Sequence, residues 1–262
     1  MPRSDAGAAA YLDVLPRLGA AGLEPWAAAY ARVHAARIAW DIDYLNRTQR
    51  PVRCLNVGGA PYLFELLMRQ ARPDLEITTL DLEPDRFPGV EPVLGVRLVG
   101  LDVETASADA LKALGRFDCI VLTEVFEHLR IDLLGTMSRL GALLTDDGVL
   151  YLSTPNGASL AAWRKAYLKG RTGPRPVDAW GRLQTLGHMG HVREYAMIEV
   201  QEVLAGAPDD GAGEYGASES HTVLIAVDAT APSVNPIANF TWTQRGGASC
   251  WSGPCRRRGL ER

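Results

Sequence analysis

The feature that most constrains the fold is a series of short apolar runs separated by polar or helical stretches. Runs that are apolar on both faces are typical of a buried parallel sheet, because helices cover both of its sides. The alternation predicts βαβ units and a doubly wound, mostly parallel α/β sheet. The runs are Val52–Val57, Ile77–Leu82, Val96–Leu101, Cys119–Thr123 and Val149–Ser153.

The stretches around these runs have the periodicity of helices. Tyr62–Gln70 and Ile131–Leu144 carry apolar residues at steps of three and four, as helices packed on a sheet do. Residues 6–47 are rich in Ala and Leu and predict two or three helices. Thr222–Val227 is a candidate last strand. The predicted organisation is an N-terminal helical segment at 1–50, a main domain at 51–228 with a helical lid at about 157–190, and a loosely ordered tail at 229–262.

Length and charge narrow the classes of function. A chain of 262 residues with 47% hydrophobic residues suits one large core. A formal charge of -4 argues against an extended nucleic-acid surface and favours a small-molecule acceptor. No apolar run approaches the ~20 residues that span a bilayer, and the N-terminus lacks the order of a secretory signal. We therefore expect a cytoplasmic protein without a membrane partner; the sequence leaves the oligomeric state open.

The segment Cys54–Tyr62 reads as a strand that enters a small-residue turn before a helix. Gly58, Gly59 and Ala60 allow a ligand to approach the backbone, although an ordinary strand-to-helix connection looks the same. Asp81 follows about twenty residues later, where a carboxylate accepts hydrogen bonds from the ribose of a nucleotide-like cofactor. Both NAD and S-adenosylmethionine satisfy this pattern.

Later segments of the sequence favour S-adenosylmethionine over NAD. Asp102 follows the third run, Thr123–Leu129 ends the fourth, and Ser153–Asn156 and His191–Tyr195 come after. With Asn56–Tyr62 and Asp81, this order resembles class I S-adenosylmethionine-dependent methyltransferases over about residues 50–205. Within them it is most similar to the branch that contains ubiquinone-biosynthesis O-methyltransferases and glycan and secondary-metabolite methyltransferases. The resemblance implies a Rossmann-like sheet and an enzyme that uses S-adenosylmethionine.

The resemblance also implies which residues bind the cofactor. Gly58 and Ala60 would line its methionine end, Asp81 would hold the ribose, and Asp102 with Val103 would meet the adenine. The full predicted set is Asn56, Gly58, Gly59, Ala60, Asp81, Leu82, Asp102, Val103, Thr123 and Glu124.

This chain departs from the usual glycine pattern at the first turn. Ala60 and Tyr62 occupy the places of the second and third glycines, and Asn56 replaces the common acid. The alanine is small enough to be tolerated, and the tyrosine either narrows the pocket or turns away from it. How the amino group of the cofactor is held stays open.

Glu124, Glu127 and His128 form the candidate catalytic cluster. In the first turn of a helix, offsets of three and four would place them on one face, and His191 could complete the set. Two carboxylates and two imidazoles suit a divalent ion such as magnesium or manganese, as in the similar small-RNA terminal-ribose methyltransferases. The predicted metal ligands are Glu124, Glu127, His128 and His191.

The same cluster has two other interpretations. Without a metal, His128 or His191 is the natural general base, because its pKa lies close to the working pH. The predicted catalytic residues are therefore His128, Glu127 and His191. Alternatively, the Glu-His pairs only cap the helix and hold the loop after the fifth strand.

The connection between Asn156 and His191 is basic in an acidic protein. Arginines, lysines and aromatic residues are interleaved there, which would attract an anionic acceptor and stack on a sugar or ring. A solvated basic helix face without function is the alternative. The residues are Arg164, Lys165, Lys169, Arg171, Arg175, Arg182, Trp163, Tyr167 and Trp180, against Asp178.

The predicted activity is methylation of a hydroxyl group on a small anionic, sugar-like or aromatic acceptor, with a divalent metal as a further option. Methylation at nitrogen or carbon, terminal-ribose methylation of RNA, and a catalytically silent cofactor-binding assembly subunit are the alternatives. A nucleotide-dependent oxidoreductase would use the same Asp81 but would require a fuller glycine turn.

Overall fold

Strands that are buried on both faces form the central sheet in the computed structural model of the protein. The structure describes residues 3–49, 51–171, 175–186, 190–206, 220–228, 237–245 and 248–252. Two units make up the chain. The first comprises Met1–Ser107 and Arg116–Val121, and the second comprises Ala108–Gly115 and Leu122–Arg262.

The first unit combines a parallel sheet with helices. Its elements are α1 (Arg3–Val14), α2 (Glu24–Thr48), β1 (Arg53–Val57), α3 (Leu63–Ala71), β2 (Glu76–Asp81), α4 (Val90–Leu94), β3 (Arg97–Gly100) and β4 (Phe117–Thr123), with 3₁₀ turns at Leu15–Leu18 and Pro84–Arg86. Strand order is β3-β2-β1-β4, and β2 pairs in parallel with both β1 and β3. The outermost strand, β3, is the most exposed of the four, as its edge position requires. The last two residues of β4 belong to the second unit.

The strand order reverses at β1, which lies between β2 and β4. In open α/β sheets, ligands bind outside the carboxyl ends of the strands at such a reversal. The strands β1 and β2 end at Val57 and Asp81. The turn and the carboxylate singled out in the sequence therefore lie at the edge of the sheet where a ligand is expected.

The N-terminal helices pack on the first unit's α3 and on the turn after β1. One face of α2 is buried at helical spacing, through Ala27, Ala31, Ala35, Ile38, Ile42 and Leu45. The Tyr11 hydroxyl donates to the Pro61 carbonyl oxygen at 2.6 Å, and the Gly89 amide donates to the Leu18 carbonyl oxygen at 3.1 Å. Residues before β1 thus stabilise the turn that follows it.

In its described residues, the second unit contains five helices and the later strands. Its elements are α5 (Ala108–Lys112), α6 (Leu133–Gly141), β5 (Leu144–Pro155), α7 (Leu160–Lys169), α8 (Pro176–Leu186), α9 (Met197–Gly206), β6 (Ser220–Asp228), β7 (Ile237–Arg245) and β8 (Ala248–Ser252), with a 3₁₀ turn at Phe126–His128. β5 and β6 pair in parallel, whereas β6 with β7 and β7 with β8 pair antiparallel. The Asp132 carboxylate caps α6 by accepting from the Gly135 amide, and the Ser159 hydroxyl caps α7 by accepting from the Ala162 amide.

The predicted α/β fold with a mostly parallel sheet is confirmed, and so are the N-terminal helices. Two details differ: α6 ends at Gly141, and β5 begins at Leu144 rather than at Val149. The strand therefore includes the polar Asp146–Gly148 stretch, which by composition resembles a turn. The helices α7 and α8 occupy the proposed lid at 157–190, but their role as a lid stays a prediction, as do the boundaries at 50 and 228.

The strands β7 and β8 lie within residues 229–262, for which loose order was predicted. The other residues of that tail lie outside the described part of the chain.

Within the residues that the structure describes, no helix has the length and apolar character needed to cross a bilayer.

Candidate active site

The turn after β1 has an unusual backbone. Gly58 has a φ of 75°, and its amide extends the ladder by donating to the Leu80 carbonyl oxygen at 2.8 Å. Tyr62 also has a positive φ, 67°, which is uncommon for a residue with a side chain. Its ring is fully buried and packs edge-on against Phe87, with ring centroids 5.1 Å apart. Of the two options that the sequence left for Tyr62, the structure shows a side chain packed inside the protein.

Asp81 at the end of β2 holds this turn. One carboxylate oxygen, Oδ2, accepts from the Ala60 amide at 2.8 Å, and the other, Oδ1, accepts from the Glu83 amide at 3.1 Å. The residue is half-buried. A carboxylate oxygen has more than one lone pair, so Asp81 can still accept from ribose hydroxyls while it fixes the turn.

Beneath the turn lies a buried polar cluster, which we call the Glu65 cluster (Asn56, Glu65 and Thr79). Glu65 Oε1 accepts from Asn56 Nδ2 at 2.7 Å and from Thr79 Oγ1 at 2.7 Å. All three residues are at most 1% exposed. A Cβ on Gly59 would lie 2.3 Å from Thr79 Cγ2 and 2.9 Å from Glu65 Oε1, so Gly59 is required by packing against this cluster.

Burial governs the protonation of these groups. Desolvation raises the pKa of Glu65 to about 7, although the hydrogen bonds from Asn56 and Thr79 act in the opposite direction. Burial, and then the negative charges of Asp81 and Glu65, raise the pKa of Tyr62 above its usual range. The first turn thus rests on an acid that titrates near neutral pH.

The remaining predicted cofactor residues of the first unit lie after β2 and β3. Leu82 is 54% exposed, whereas Val103 is buried. The Asp102 side chain accepts from the Glu104 amide at 2.9 Å and thereby closes the turn after β3. An exposed leucine and an acid held in a turn are compatible with the predicted adenine contact, which stays a prediction.

In the second unit, three of the predicted catalytic and metal-binding side chains come together, and we call them the Glu127 cluster (Glu127, His128 and His191). Glu127 Oε1 lies 3.9 Å from His128 Nε2 and 3.8 Å from His191 Nε2. The two imidazole rings are perpendicular, with centroids 4.8 Å apart. The carboxylate is fully buried, and both imidazoles are partly exposed. A buried acid is thus flanked by two solvent-accessible bases.

The surrounding chain fixes this geometry. Thr154 Oγ1 donates to Glu127 Oε2 at 3.0 Å, and the Glu127 carbonyl oxygen accepts from the Val192 amide at 2.8 Å. Asn156 and Tyr195 form a parallel bridge, which ties the two later sequence motifs together. His191 Nδ1 also lies 3.7 Å from Glu194 Oε1, so a second carboxylate lies beside this imidazole.

The prediction that Glu124, Glu127 and His128 lie in the first turn of a helix is wrong. Glu124 has a φ of 58°, so the chain leaves the helical region there, and Phe126–His128 form only a 3₁₀ turn. The Glu124 amide donates to the Ser153 carbonyl oxygen at 3.0 Å. Within the described residues, the group of ligating atoms that lie within 4.8 Å of one another consists of Glu127, His128 and His191. It does not include Glu124.

Sequence reasoning missed Glu65 as part of the site. The signal was present: a single acid stands inside the apolar stretch Leu63–Met68, where all six residues are buried. Charged residues are rarely fully buried unless they are paired or functional. Its partner Thr79 lies in β2, so only the fold brings the two together.

The first unit thus contains a tight turn after β1 that the Asp81 carboxylate holds, and the second contains a buried acid with two imidazoles. A family model described as a methyltransferase domain matches residues 29–196, which is more than half of the chain. The chain belongs to this methyltransferase family. The prediction of a class I S-adenosylmethionine-dependent methyltransferase is confirmed, while the predicted branch stays a prediction.

Solved structures similar to this methyltransferase are distant in sequence. An O-methyltransferase family protein from Burkholderia thailandensis is 14% identical, with 68% of this chain and 51% of that chain covered and a TM-score of 0.47. The N-terminal domain of EvdMO1, solved in the presence of S-adenosylhomocysteine and D-fucose, is 23% identical, with 41% and 47% covered and a TM-score of 0.36.

The N-methyltransferase NodS from Bradyrhizobium japonicum, in complex with S-adenosylhomocysteine, is 16% identical, with 44% of this chain and 58% of that chain covered and a TM-score of 0.35. The methyltransferase described here spans about half the length of these structures. No curated protein matches the chain.

Proposed function

We propose that this methyltransferase transfers a methyl group from S-adenosylmethionine to a hydroxyl group of a small anionic, sugar-like or aromatic acceptor. The observation that carries the proposal is the Glu127 cluster, in which a buried carboxylate contacts two partly exposed imidazoles. Such an arrangement suits removal of a proton from a hydroxyl group at neutral pH.

The residues at the end of β1 and β2 fit the cofactor. Asn56 Oδ1 and Glu65 Oε2 are buried and have no hydrogen-bond donor among the described residues, and Asp81 offers a half-buried carboxylate. We assign Asp81 to the ribose, Gly58–Ala60 to the methionine end, and Asp102 with Val103 to the adenine. Thr123 and Glu124 are further proposed contacts. When bound, the cofactor supplies a methyl group on a positively charged sulfur.

The Glu127 cluster would act on the acceptor. A neutral imidazole of His128 or His191 would accept the proton of the acceptor hydroxyl. The negative charge of Glu127, 3.8 to 3.9 Å away, stabilises the imidazolium that forms. The cofactor would supply the methyl group to the deprotonated oxygen, and its sulfur would keep the electrons of the broken bond as a neutral thioether.

A divalent ion at the same cluster is the second form of this proposal. One carboxylate oxygen and two imidazole nitrogens, mutually within 4.8 Å, are a suitable partial ligand set. Imidazole and carboxylate together suit manganese better than magnesium, because magnesium prefers oxygen ligands. Such an ion would lower the pKa of the acceptor hydroxyl, and the imidazoles would then serve as ligands instead of bases.

The helices α7 and α8 provide the proposed recognition of the acceptor. Trp163 and Tyr167 are exposed and stacked, with ring centroids 5.7 Å apart and planes 14° apart. Arg164 and Lys169 are exposed on the same helix. Aromatic faces and positive charges suit a ring or sugar that carries a phosphate or carboxylate.

The test joins cofactor binding with methyl transfer. Calorimetry with S-adenosylhomocysteine should give binding in the micromolar range for the wild type and an affinity about tenfold to a hundredfold lower for Asp81→Ala, because the ribose contact and the turn are both weakened. Asp85→Asn, an exposed acid nearby, is the matched control. Transfer of labelled methyl groups is then screened on hydroxylated sugars and aromatic acids, with and without manganese.

Two results would contradict the proposal. Absence of S-adenosylhomocysteine binding by the wild type would remove the cofactor assignment. Transfer to amines but to no hydroxylated acceptor would remove the O-methylation assignment while it leaves the cofactor site intact.

A further inference from the structure

The family's usual acid at the end of β1 is missing from this chain, yet a carboxylate is still present at that place in space. Position 56 is asparagine, and its side-chain amide donates at 2.7 Å to Glu65, which projects from α3. A carboxylate at position 56 would stand directly against the one at position 65. The carboxylate beside the end of β1 therefore comes from the helix α3 and not from the strand.

The hydrogen bonds fix which way the Asn56 amide points. A carboxylate only accepts, so the NH₂ group must face Glu65 and the carbonyl oxygen Oδ1 must face away. Glu65 Oε1 is already occupied by Asn56 and by the Thr79 hydroxyl. Two buried acceptors have no donor among the described residues, Asn56 Oδ1 and Glu65 Oε2.

Among the residues that the structure describes, Glu65 also has no counter-charge. The titratable groups that act on it or that it acts on are Asp81, Tyr11, Tyr62 and Cys54, which are acidic or neutral. Within the described residues, no lysine, arginine or histidine forms an ion pair with it. A fully buried carboxylate without a cation is costly, and it marks a place that a cationic ligand group would stabilise.

We infer that Glu65 is the positioning residue for the ammonium group at the methionine end of the cofactor, acting through Asn56. Glu65 supplies the negative charge and orients the Asn56 amide, and Asn56 Oδ1 accepts from the ammonium. This inference rests on the proposed use of S-adenosylmethionine and deepens it. It assigns to a helix residue a role that resemblance alone would have placed on the strand.

The test compares two ligands that share the adenosine part and differ in the amino acid part, which includes the ammonium group. S-adenosylhomocysteine carries the amino acid part, and 5′-methylthioadenosine lacks it. For Glu65→Gln, calorimetry at pH 8 should show about tenfold weaker S-adenosylhomocysteine binding, because one charge-assisted interaction is lost. The affinity for 5′-methylthioadenosine should change by less than about twofold. The amide oxygen introduced by Glu65→Gln can still accept from Asn56 and Thr79, so the fold should persist.

A double variant provides a rescue. Asn56→Asp combined with Glu65→Gln returns the acid to the strand and keeps one acid and one amide, so S-adenosylhomocysteine affinity should return to within about threefold of wild type. Glu91→Gln makes the same chemical change at an exposed acid of the first unit and should leave both affinities unchanged. Circular dichroism and the midpoint of thermal unfolding report the folding of each variant.

Each outcome is decisive. Loss of both ligands in Glu65→Gln, wild-type affinity for S-adenosylhomocysteine in that variant, or a double variant no better than the single one would overturn the inference and leave the proposed function in place. A wild type that binds 5′-methylthioadenosine and S-adenosylhomocysteine equally well would also overturn it. A wild type that binds neither ligand would overturn the proposed function and the inference together.

Discussion

Within the described part of the chain, each unit contains one fully buried glutamate, Glu65 in the first and Glu127 in the second, and their surroundings differ. Glu65 is contacted by an amide and a hydroxyl, which are neutral donors. Glu127 accepts from one hydroxyl and lies near two imidazoles that can gain a proton. The same residue type, equally buried, therefore serves two purposes.

The groups beside the two glutamates differ in whether they can accept a proton. The amide and the hydroxyl are neutral donors that fix the orientation of Glu65 but do not accept a proton from a substrate. The role of this carboxylate is therefore to orient Asn56 and to attract positive charge. The imidazoles beside Glu127 can accept a proton, and their exposure of 34% and 40% gives a substrate access to them. We expect substitutions at Glu65 to change binding and stability, and substitutions at Glu127 to change turnover.

The largest effect is expected at Glu127. Glu127→Gln keeps the size of the side chain and an acceptor for Thr154, but it removes the charge that supports an imidazolium. Because general-base catalysis contributes about 10²- to 10⁴-fold, kcat should fall at least about a hundredfold. The affinity for S-adenosylhomocysteine should stay within about twofold of wild type. Steady-state transfer of labelled methyl groups and calorimetry measure the two quantities.

The matched control for this variant is Glu202→Gln, which changes an exposed acid on α9 of the same unit and should retain wild-type kcat. If Glu127→Gln kept a third or more of the activity, the contrast between the two glutamates would fail. If it lost cofactor binding as strongly as turnover, Glu127 would belong with the binding residues.

The second effect concerns stability and pH at Glu65, whose pKa burial raises from 4.5 to about 7. Below pH 4.5 the carboxyl is protonated in both folded and unfolded chains and contributes no difference. Between these values only the unfolded chain has released the proton, so the free energy of unfolding decreases as pH rises. Above pH 7 the loss is complete, at about 3 kcal/mol as an upper value.

Urea unfolding at pH 5 and pH 8 would measure the contribution of Glu65 to the pH dependence of the free energy of unfolding. Glu65→Gln cannot titrate, so the difference in free energy of unfolding between it and the wild type should shift by up to about 3 kcal/mol between the two pH values. The shift should favour the variant at pH 8. Glu91→Gln should follow the wild type at both values. An equal difference at pH 5 and pH 8 would show that Glu65 titrates normally.

The sequence predicts where the strands of the sheet end. It also predicts that Glu127 belongs to the site, but it does not predict this for Glu65. The strand ends at Val57 and Asp81 follow from apolar runs, because buried parallel strands have a distinctive composition. The Glu127 cluster was predicted from the spacing of its residues and from the resemblance to related methyltransferases. The sequence marks Glu65 as an acid inside an apolar stretch, but it does not identify the partners of Glu65, because Asn56 and Thr79 lie on two different strands. Glu124 was misplaced because its positive φ depends on the loop that leads into the 3₁₀ turn.

The smallest effect is expected at an aromatic pair on α7, which we compare with an aromatic pair on α2. Trp163 and Tyr167 are stacked on α7 beside exposed basic residues, whereas Trp26 and Tyr30 form a tilted pair on α2, with centroids 6.1 Å and planes 49° apart. If α7 binds the acceptor, Trp163→Ala should raise its KM about fivefold, which corresponds to about 1 kcal/mol of stacking, and leave kcat unchanged. Trp26→Ala should leave both constants unchanged. An unchanged KM in Trp163→Ala, measured with the acceptor found by screening, would show that the exposed α7 face does not contact the acceptor.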